Sequence, residues 1–462
     1  MTTTIASRTA LTLQLLPRDV KLLLVDFIAV LSRPSLFQLS LVNKEWHALV
    51  EPKIWAILRI SPRPIHQLAF LALELLPRIG KYVHELVIEN WSHCVHHHHV
   101  EGPHPPTSAA QQEVAKYEDV LRLSESTTLS WNERTARIQS ELLAQALRPC
   151  IDIWSIGIDE SLAMFVNGVP SISLLPPKQV AQSRIPNQVY PALQHIGTNI
   201  REVRLRLDEP TTSLDLNEVT RLIGSFPGCW CLRLELHAFG PRTWTSADRR
   251  SFLEAINSLK ELRALCMTSC SGFDQALLEN PQIPLPVHLR QLAIYQSPFS
   301  LRALLQIGDL CGQHLVELLL SDLNERGNVL SFGKDNVRPV PAKFTALERL
   351  LLETDFDASV LALFANSPLR SIDLRGEYRG GVKSPFGAFS YTINALQFLG
   401  IRDFDRPTIT ADEMRRFLVA HKSTLKTAHV SEHLIKGTDL ELDMLDRWFN
   451  QNHLEGGLYH AC

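Results

Sequence analysis

Residues 289–294 read LRQLAI, residues 315–320 LVELLL and residues 347–352 LERLLL. Each phrase sets large apolar side chains at its first, fourth and sixth positions, the near-alternation of a strand with one buried face. Toward the N-terminus the pattern returns as Ile200-x-x-Val203-x-Leu205, Cys229-x-x-Leu232-x-Leu234 and Leu259-x-x-Leu262. Beyond the quoted copies it continues as Leu369-x-x-Ile372-x-Leu374, Leu396-x-x-Leu399-x-Ile401 and Leu425-x-x-Ala428-x-Val430. From Val203 to Ala428 the middle residues advance in steps of about 28 residues, long enough for one strand and one helix per repeat. Looser copies precede them at Val83-x-x-Leu86-x-Ile88 and Ile153-x-x-Ile156-x-Ile158.

Helix signals lie between the phrases. Thr245-Ser246-Ala247-Asp248 and Thr410-Ala411-Asp412-Glu413 have capping-box spacing before amphipathic runs, Ser300 can open LRALLQIGDLCG, and Asp215 and Asp357 can cap two more. Strand followed by helix, repeated, means parallel strands joined by crossovers. The expected fold is therefore α/β, with strands on the concave face of a solenoid and helices on the convex face. The period is similar to that of leucine-rich repeats, but degenerate. Their Asn or Cys three residues beyond the last strand leucine is replaced by Asp208, Ser297, Leu323, Asp355, Glu377 and Phe404. Only the shifted register Leu262-x-x-Leu265-x-Met267-x-x-Cys270 supplies it. An irregular α/β assembly with another strand order is the alternative.

Ahead of the repeats stands Leu15 to Ile60, LLPRDVKLLLVDFIAVLSRPSLFQLSLVNKEWHALVEPKIWAILRI. Pro17 suits a first helical turn, where its missing N–H costs nothing. Val20, Leu23, Leu24, Phe27, Ile28 and Leu31 give that helix apolar coverage nearly all round, and Ser32-Arg33-Pro34 stops it. A second helix is expected from Leu36 through Trp46 and Leu49, broken at Pro52, with Trp55 to Ile60 splicing onto the first strand. So short a segment cannot bury this many large apolar groups by itself. Some must meet a partner or the rest of the chain, where the segment would seal the end of a core.

Leu16-Pro17, Leu22-Leu23-Leu24, Ser40-Leu41-Val42-Asn43-Lys44, Trp46, Pro52 and Trp55 resemble the F-box pattern in order and spacing, in the wording common among fungal F-box proteins. The resemblance implies docking of a Skp-type adaptor and, through it, a cullin-based ubiquitin ligase. Carried over position by position, it assigns adaptor binding to Leu16, Pro17, Val20, Leu24, Ile28, Leu36 and Leu39. The implied organisation is an F-box-like module at 11–60, a first repeat or connection at 61–90, an insertion at 91–148, repeats at 149–435 and a cap at 436–462.

Composition fits an intracellular globular chain of cytoplasm or nucleus. Its 462 residues are 45% hydrophobic and 21% charged, which excludes wholesale disorder. A net charge of −3 carries no footprint for nucleic acid. No apolar run has membrane-spanning length, and no leader pattern opens the chain. Eight cysteines without a CxxC pair form no disulfide framework; Cys229, Cys231, Cys266 and Cys270 read as buried thiols. Pro170 to Pro191 reads as a connecting loop, and Arg326 to Pro341 and Glu377 to Pro385 as insertions. Between Trp91 and Arg148, helical patterns run from Ala109 to Leu123 and from Asn132 to Leu147. Before them, His93, His96 to His99 and His104 gather with Cys94. Adjacent imidazoles cannot all face one ion, so a solvated loop is expected there, with no metal and no cofactor.

No catalytic signature is present: there is no GxSxG elbow, phosphate loop or HExxH. The chain is thus expected to be no enzyme; a histidine-dependent metallohydrolase fits far less well. Alternation turns Glu202, Arg204, Arg206, Arg233 and Glu235 toward the open sheet face, followed by Arg263, Gln291, Tyr295, Glu317, Arg349, Glu353, Asp373, Arg375 and Arg402. Arg204, Arg206 and Arg233 suit an acidic or phosphorylated segment of an unknown protein substrate. Two function classes follow: a substrate receptor of a Skp–cullin–F-box ligase, and a scaffold that assembles proteins without promoting their degradation.

Overall fold

In the computed structural model the described residues are 15–60, 64–89, 108–123, 131–160, 189–207, 216–236, 244–270, 272–321, 330, 343–354, 356, 358–375, 396–402, 409–432, 435–452 and 454–459. The histidine run and both expected insertions, apart from Leu330, lie outside them. The chain forms two units, with the first ending at Arg206 and the second resuming at Leu207.

The first unit opens with helices α1 (Arg18–Leu31), α2 (Arg33–Ser40) and α3 (Lys44–Trp55). Ser32 is extended at φ −159°, which ends α1, and Pro34 sits in the first turn of α2 where no N–H is needed. The expected single second helix is in fact two, because Asn43 competes for the backbone. Its side chain accepts the Trp46 N–H at 2.9 Å and starts α3 afresh. Pro52 does not break the helix but lies inside it. It falls in the last turn, so only its own hydrogen bond is lost. Val25, Leu36, Leu39, Trp46, Val50 and Ile54 form the core of this bundle, with Leu24, Ile28, Ala29, Leu49 and Trp55 packed at its edges. Burying such side chains contributes about 2 kcal/mol each. Lys21 is buried too; its ammonium reaches the Glu45 carboxylate at 2.7 and 2.8 Å and lies 5.7 Å from the Trp46 ring centroid.

Four parallel strands follow in chain order: β1 (Ile57–Ile60), β2 (Glu85–Glu89), β3 (Ser155–Glu160) and β4 (Glu202–Leu207). Leu58 faces Leu86, and Leu86 faces Ile156, as the loose early phrases require. Helices Ser108–Val120, Trp131–Leu147 and Val189–Gly197 lie between them. Pro191, expected in a loop, falls within the first turn of the last of these, where N–H groups have no helical partner. Arg134 clamps Glu118 across the first two, donating from Nε at 2.8 Å.

Among the described residues the second unit adds nine parallel strands to its main sheet in chain order, beside a small parallel pair of Ile409–Thr410 with Ile435–Lys436. They are β5 (Cys231–Glu235), β6 (Ala264–Thr268), β7 (Gln291–Tyr295), β8 (Glu317–Ser321), β9 (Arg349–Glu353) and β10 (Ser371–Arg375). β11 (Phe398–Arg402), β12 (Thr427–Ser431) and β13 (Glu455–Tyr459) complete them. Each unit is an α/β repeat assembly of the solenoid-like kind. One row of side chains runs Leu232, Leu265, Leu292, Leu318, Leu350, Ile372, Leu399 and Ala428, all buried. The third phrase is therefore registered on Leu265, not Leu262. Leu262 lies in the turn before the strand, its N–H bonded to the Leu259 carbonyl. β13 was not foreseen, since glycines replace the apolar markers.

A backbone fork fixes this register. The N–H groups of Arg263 and Ala264 both donate to the Trp230 carbonyl, those of Arg290 and Gln291 to Arg263, and those of Val316 and Glu317 to Arg290. The fork repeats at Val316, Glu348, Arg370 and Gln397. Where strands exit, Ser269 N–H donates to Tyr295 and Gln296 N–H to Ser321, with Ser269 and Gln296 at φ 57° and 48°. Ser297, at the degenerate Asn position, supplies the missing bond: its hydroxyl accepts the Cys270 N–H at 2.9 Å and donates to the Tyr295 carbonyl at 2.8 Å. Thr245 with Asp248 and Thr410 with Glu413 are full capping boxes, Ser300 caps its helix, and Thr438 with Glu441 adds a further box.

Candidate protein-binding surfaces

Helix α1 is apolar on two sides, and only one meets the bundle. Val25 and Lys21 face inward, flanked by Leu24 and Ile28. On the far side Val20, Leu23, Phe27, Val30 and Leu31 are 42, 69, 62, 86 and 66% exposed. Their spacing of three and four residues makes one stripe about two turns long or more. Phe37 and Leu41 are exposed on the neighbouring segment. The pattern-derived residues divide accordingly. Pro17 and Val20 are exposed, Leu16 is half-buried, Leu24 and Ile28 pack at the edge of the core, and Leu36 and Leu39 are inside it. The pattern does not assign Leu23, Phe27, Val30 and Leu31, because motif position alone does not separate the two sides. A helical projection centred on Val25 would have found them.

The salt bridges of this module fix helix against helix. Lys53 meets Asp26 at 2.7 Å, and Lys21 meets Glu45, so α1 is tied to α3 at two heights. A partner approaching the outer stripe meets a helix already held in place.

On the first unit's sheet, Arg204 and Arg206 are exposed on β4, and the Arg204 Nε donates to Glu202 at 3.0 Å. Arg233 is exposed on β5 of the second unit, where the register sets it opposite Cys266. Cys231 and Cys266 are half-buried on this open face, contrary to the buried reading, while Cys229 and Cys270 are fully buried. Burial pushes the Cys266 thiol above its ordinary range despite the Arg233 charge, and pushes the Tyr295 phenol up as well. Neither is an activated nucleophile. Asp373, expected to be exposed, is only 8% so. Its rung neighbour is Gly400, which leaves room for the carboxylate to lie down, and Arg375 donates to it at 2.8 Å. Along the same face Arg349 pairs with Glu317 at 3.8 Å and Arg375 with Glu353 at 3.6 Å.

Among the described residues no three metal-ligating side chains gather, and no helix is long and apolar enough to cross a membrane.

No protein-family model matches the chain, and no curated protein matches it in sequence. Among solved structures it is similar to the crystal structure of the Rad7 and Elc1 complex in yeast. That match is 12% identical and covers 71% of this chain and 90% of that one at a TM-score of 0.33.

Proposed function

We propose that the chain is the substrate-recognition subunit of a Skp–cullin–F-box ubiquitin ligase. The observation that supports this is the outer stripe of α1, a helix whose second apolar side faces away from its own bundle within a segment of F-box wording. The stripe and the pattern residues Leu16, Pro17 and Val20 dock the adaptor, and the adaptor brings the cullin. Leu24, Ile28, Leu36 and Leu39 act from beneath by holding α1 in position. The repeats hold a target protein, with Arg204, Arg206 and Arg233 among the residues that meet it. This chain supplies proximity and no chemistry of its own.

Leu23→Asp with Phe27→Asp tests the docking half in the full chain. Desolvating each side chain at an interface is worth about 1–2 kcal/mol, so the pair should weaken adaptor capture by at least about thirtyfold. Purified Skp-type adaptor and cullin are the probes, and circular dichroism checks that the variant stays folded. A wild-type chain that captures no adaptor would end this reading. Charge reversal at Arg204, Arg206 and Arg233 should reduce recovery of the bound target while adaptor capture persists.

A further inference from the structure

The backbone fork of the second unit sets three large side chains on consecutive rungs at the strand-entry edge: Trp230, Arg263 and Arg290. All three are outside the core. Trp230 is 44% exposed, and both arginines are exposed. The Arg263 guanidinium sits 5.5 Å from the Trp230 ring centroid, and Arg290 Nη1 donates to the His314 carbonyl at 3.0 Å. Each cation is thus held by a π-face or a carbonyl. Neither has an ion-pair partner among the described residues. This differs from other arginines of the same unit: Arg349 has Glu317, Arg370 has Glu348 at 3.4 Å, and Arg375 has Asp373.

Adjacent rungs of a sheet are about 4.8 Å apart, so Arg263 and Arg290 leave neighbouring rungs, the one lying over the Trp230 ring and the other reaching the His314 carbonyl. Two like charges fixed this way favour an anion that spans both, and a guanidinium fork pairs in bidentate fashion with carboxylate or phosphoryl oxygens. Val287, 69% exposed in the turn that feeds Arg290, and the part of Trp230 that stays exposed add apolar surface to the same edge. The combination suits a side-chain-bearing chain better than a bare ion.

We infer that the Trp230–Arg263–Arg290 edge is a docking surface for an acidic segment of a partner protein. The segment lays two acidic groups, carboxylates or phosphoryl groups, across Arg263 and Arg290, with an apolar side chain at the Trp230 end. This deepens the receptor reading and rests on it for the role of the bound segment.

The test uses the full chain and fluorescence anisotropy with four probes: a labelled peptide of glutamates around a single phenylalanine, its phosphoserine counterpart, a labelled single-stranded oligonucleotide, and inorganic phosphate as competitor. One or both peptides should bind. Arg263→Glu with Arg290→Glu should weaken peptide binding by more than about tenfold, as the loss of charge-assisted pairs requires. Arg349→Glu, which removes an already paired cation, should change it less than about threefold. Added salt should weaken the wild-type complex, and millimolar phosphate should fail to displace the better peptide. A carboxylate preference or a phosphoryl preference names the source of the anion, and either supports the surface. Equal binding by the Arg263/Arg290 variant, tighter binding of the oligonucleotide, displacement by phosphate alone, or no peptide binding by the wild type would each overturn it. The Leu23/Phe27 variant keeps the two readings apart: it should lose the adaptor and retain the peptide.

Discussion

Ser297→Ala should destabilise the second unit through one hydrogen bond. The Ser297 hydroxyl is buried, accepts the Cys270 N–H at 2.9 Å and donates to the Tyr295 carbonyl at 2.8 Å. The two bonds are not equally replaceable. The Tyr295 carbonyl keeps a second donor, the Ser269 N–H at 2.9 Å. Cys270 is itself fully buried, so its N–H would be left without an acceptor and without water. A buried donor stripped of its partner costs about 1–3 kcal/mol, and we take about 2 kcal/mol for the variant. For a unit of this size that is a fall in Tm of roughly 4–8 °C. Urea unfolding should show a lower midpoint at unchanged slope, and hydrogen exchange should place the loss at the Cys270 amide. Ser297→Cys, which keeps the shape but offers a weak acceptor, should fall between wild type and alanine. If Ser297→Ala leaves both the midpoint and Cys270 protection unchanged, Ser297 does not stand in for the missing asparagine.

Gly456→Ala should detach the last strand without unfolding the rest. Gly456 has φ +108°, and a Cβ there would run into the Ala428 carbonyl oxygen, so backbone strain and collision combine at roughly 2–4 kcal/mol. Exchange of the 455–459 amides should accelerate by at least about thirtyfold, and unchanged protection would refute the placement of this strand. His421 supplies a pH dependence. Burial lowers its pKa from the ordinary value of 6.5, so the folded chain binds fewer protons there than the unfolded chain. Its contribution is complete above about pH 6.5 and is lost as pH falls from there through the lowered folded value. His421→Leu should flatten the difference in Tm between about pH 7.5 and pH 5.5, and an identical slope in the variant would argue against a buried neutral imidazole.

The strand ladder was legible because alternation and a repeating period both trace the same physical need, one buried row per strand. Where that row is carried by Leu318 or Leu350 the register follows directly. It slipped at Leu262 because a leucine that seals the preceding turn resembles one on a strand, and only the backbone fork tells them apart. It was lost at Gly456, where close approach to the neighbouring backbone demands the residue with no side chain. Helix starts at Thr245, Ser300 and Thr410 were readable from local hydrogen-bonding chemistry. The boundary at Asn43 was missed although it has the same chemistry, since an apolar pattern on both sides masked it. Candidate surfaces were harder to read. Motif positions mix residues that a partner can touch, such as Val20, with residues beneath them, such as Leu36. Asp373 was misplaced because alternation says where a side chain starts and not where it lies down.

The carbonyl forks at the strand-entry edge also separate spacing from length. From Leu232 to Leu265 the chain takes 33 residues, and from Leu350 to Ile372 only 22, yet both steps arrive at adjacent rungs in matched register. The clamp acts on the two residues that enter each strand, so chain added or removed between clamps leaves neighbouring rungs untouched. Such a ladder can accept new loops at its exits over evolutionary time while keeping every side chain on its entry edge at constant pitch.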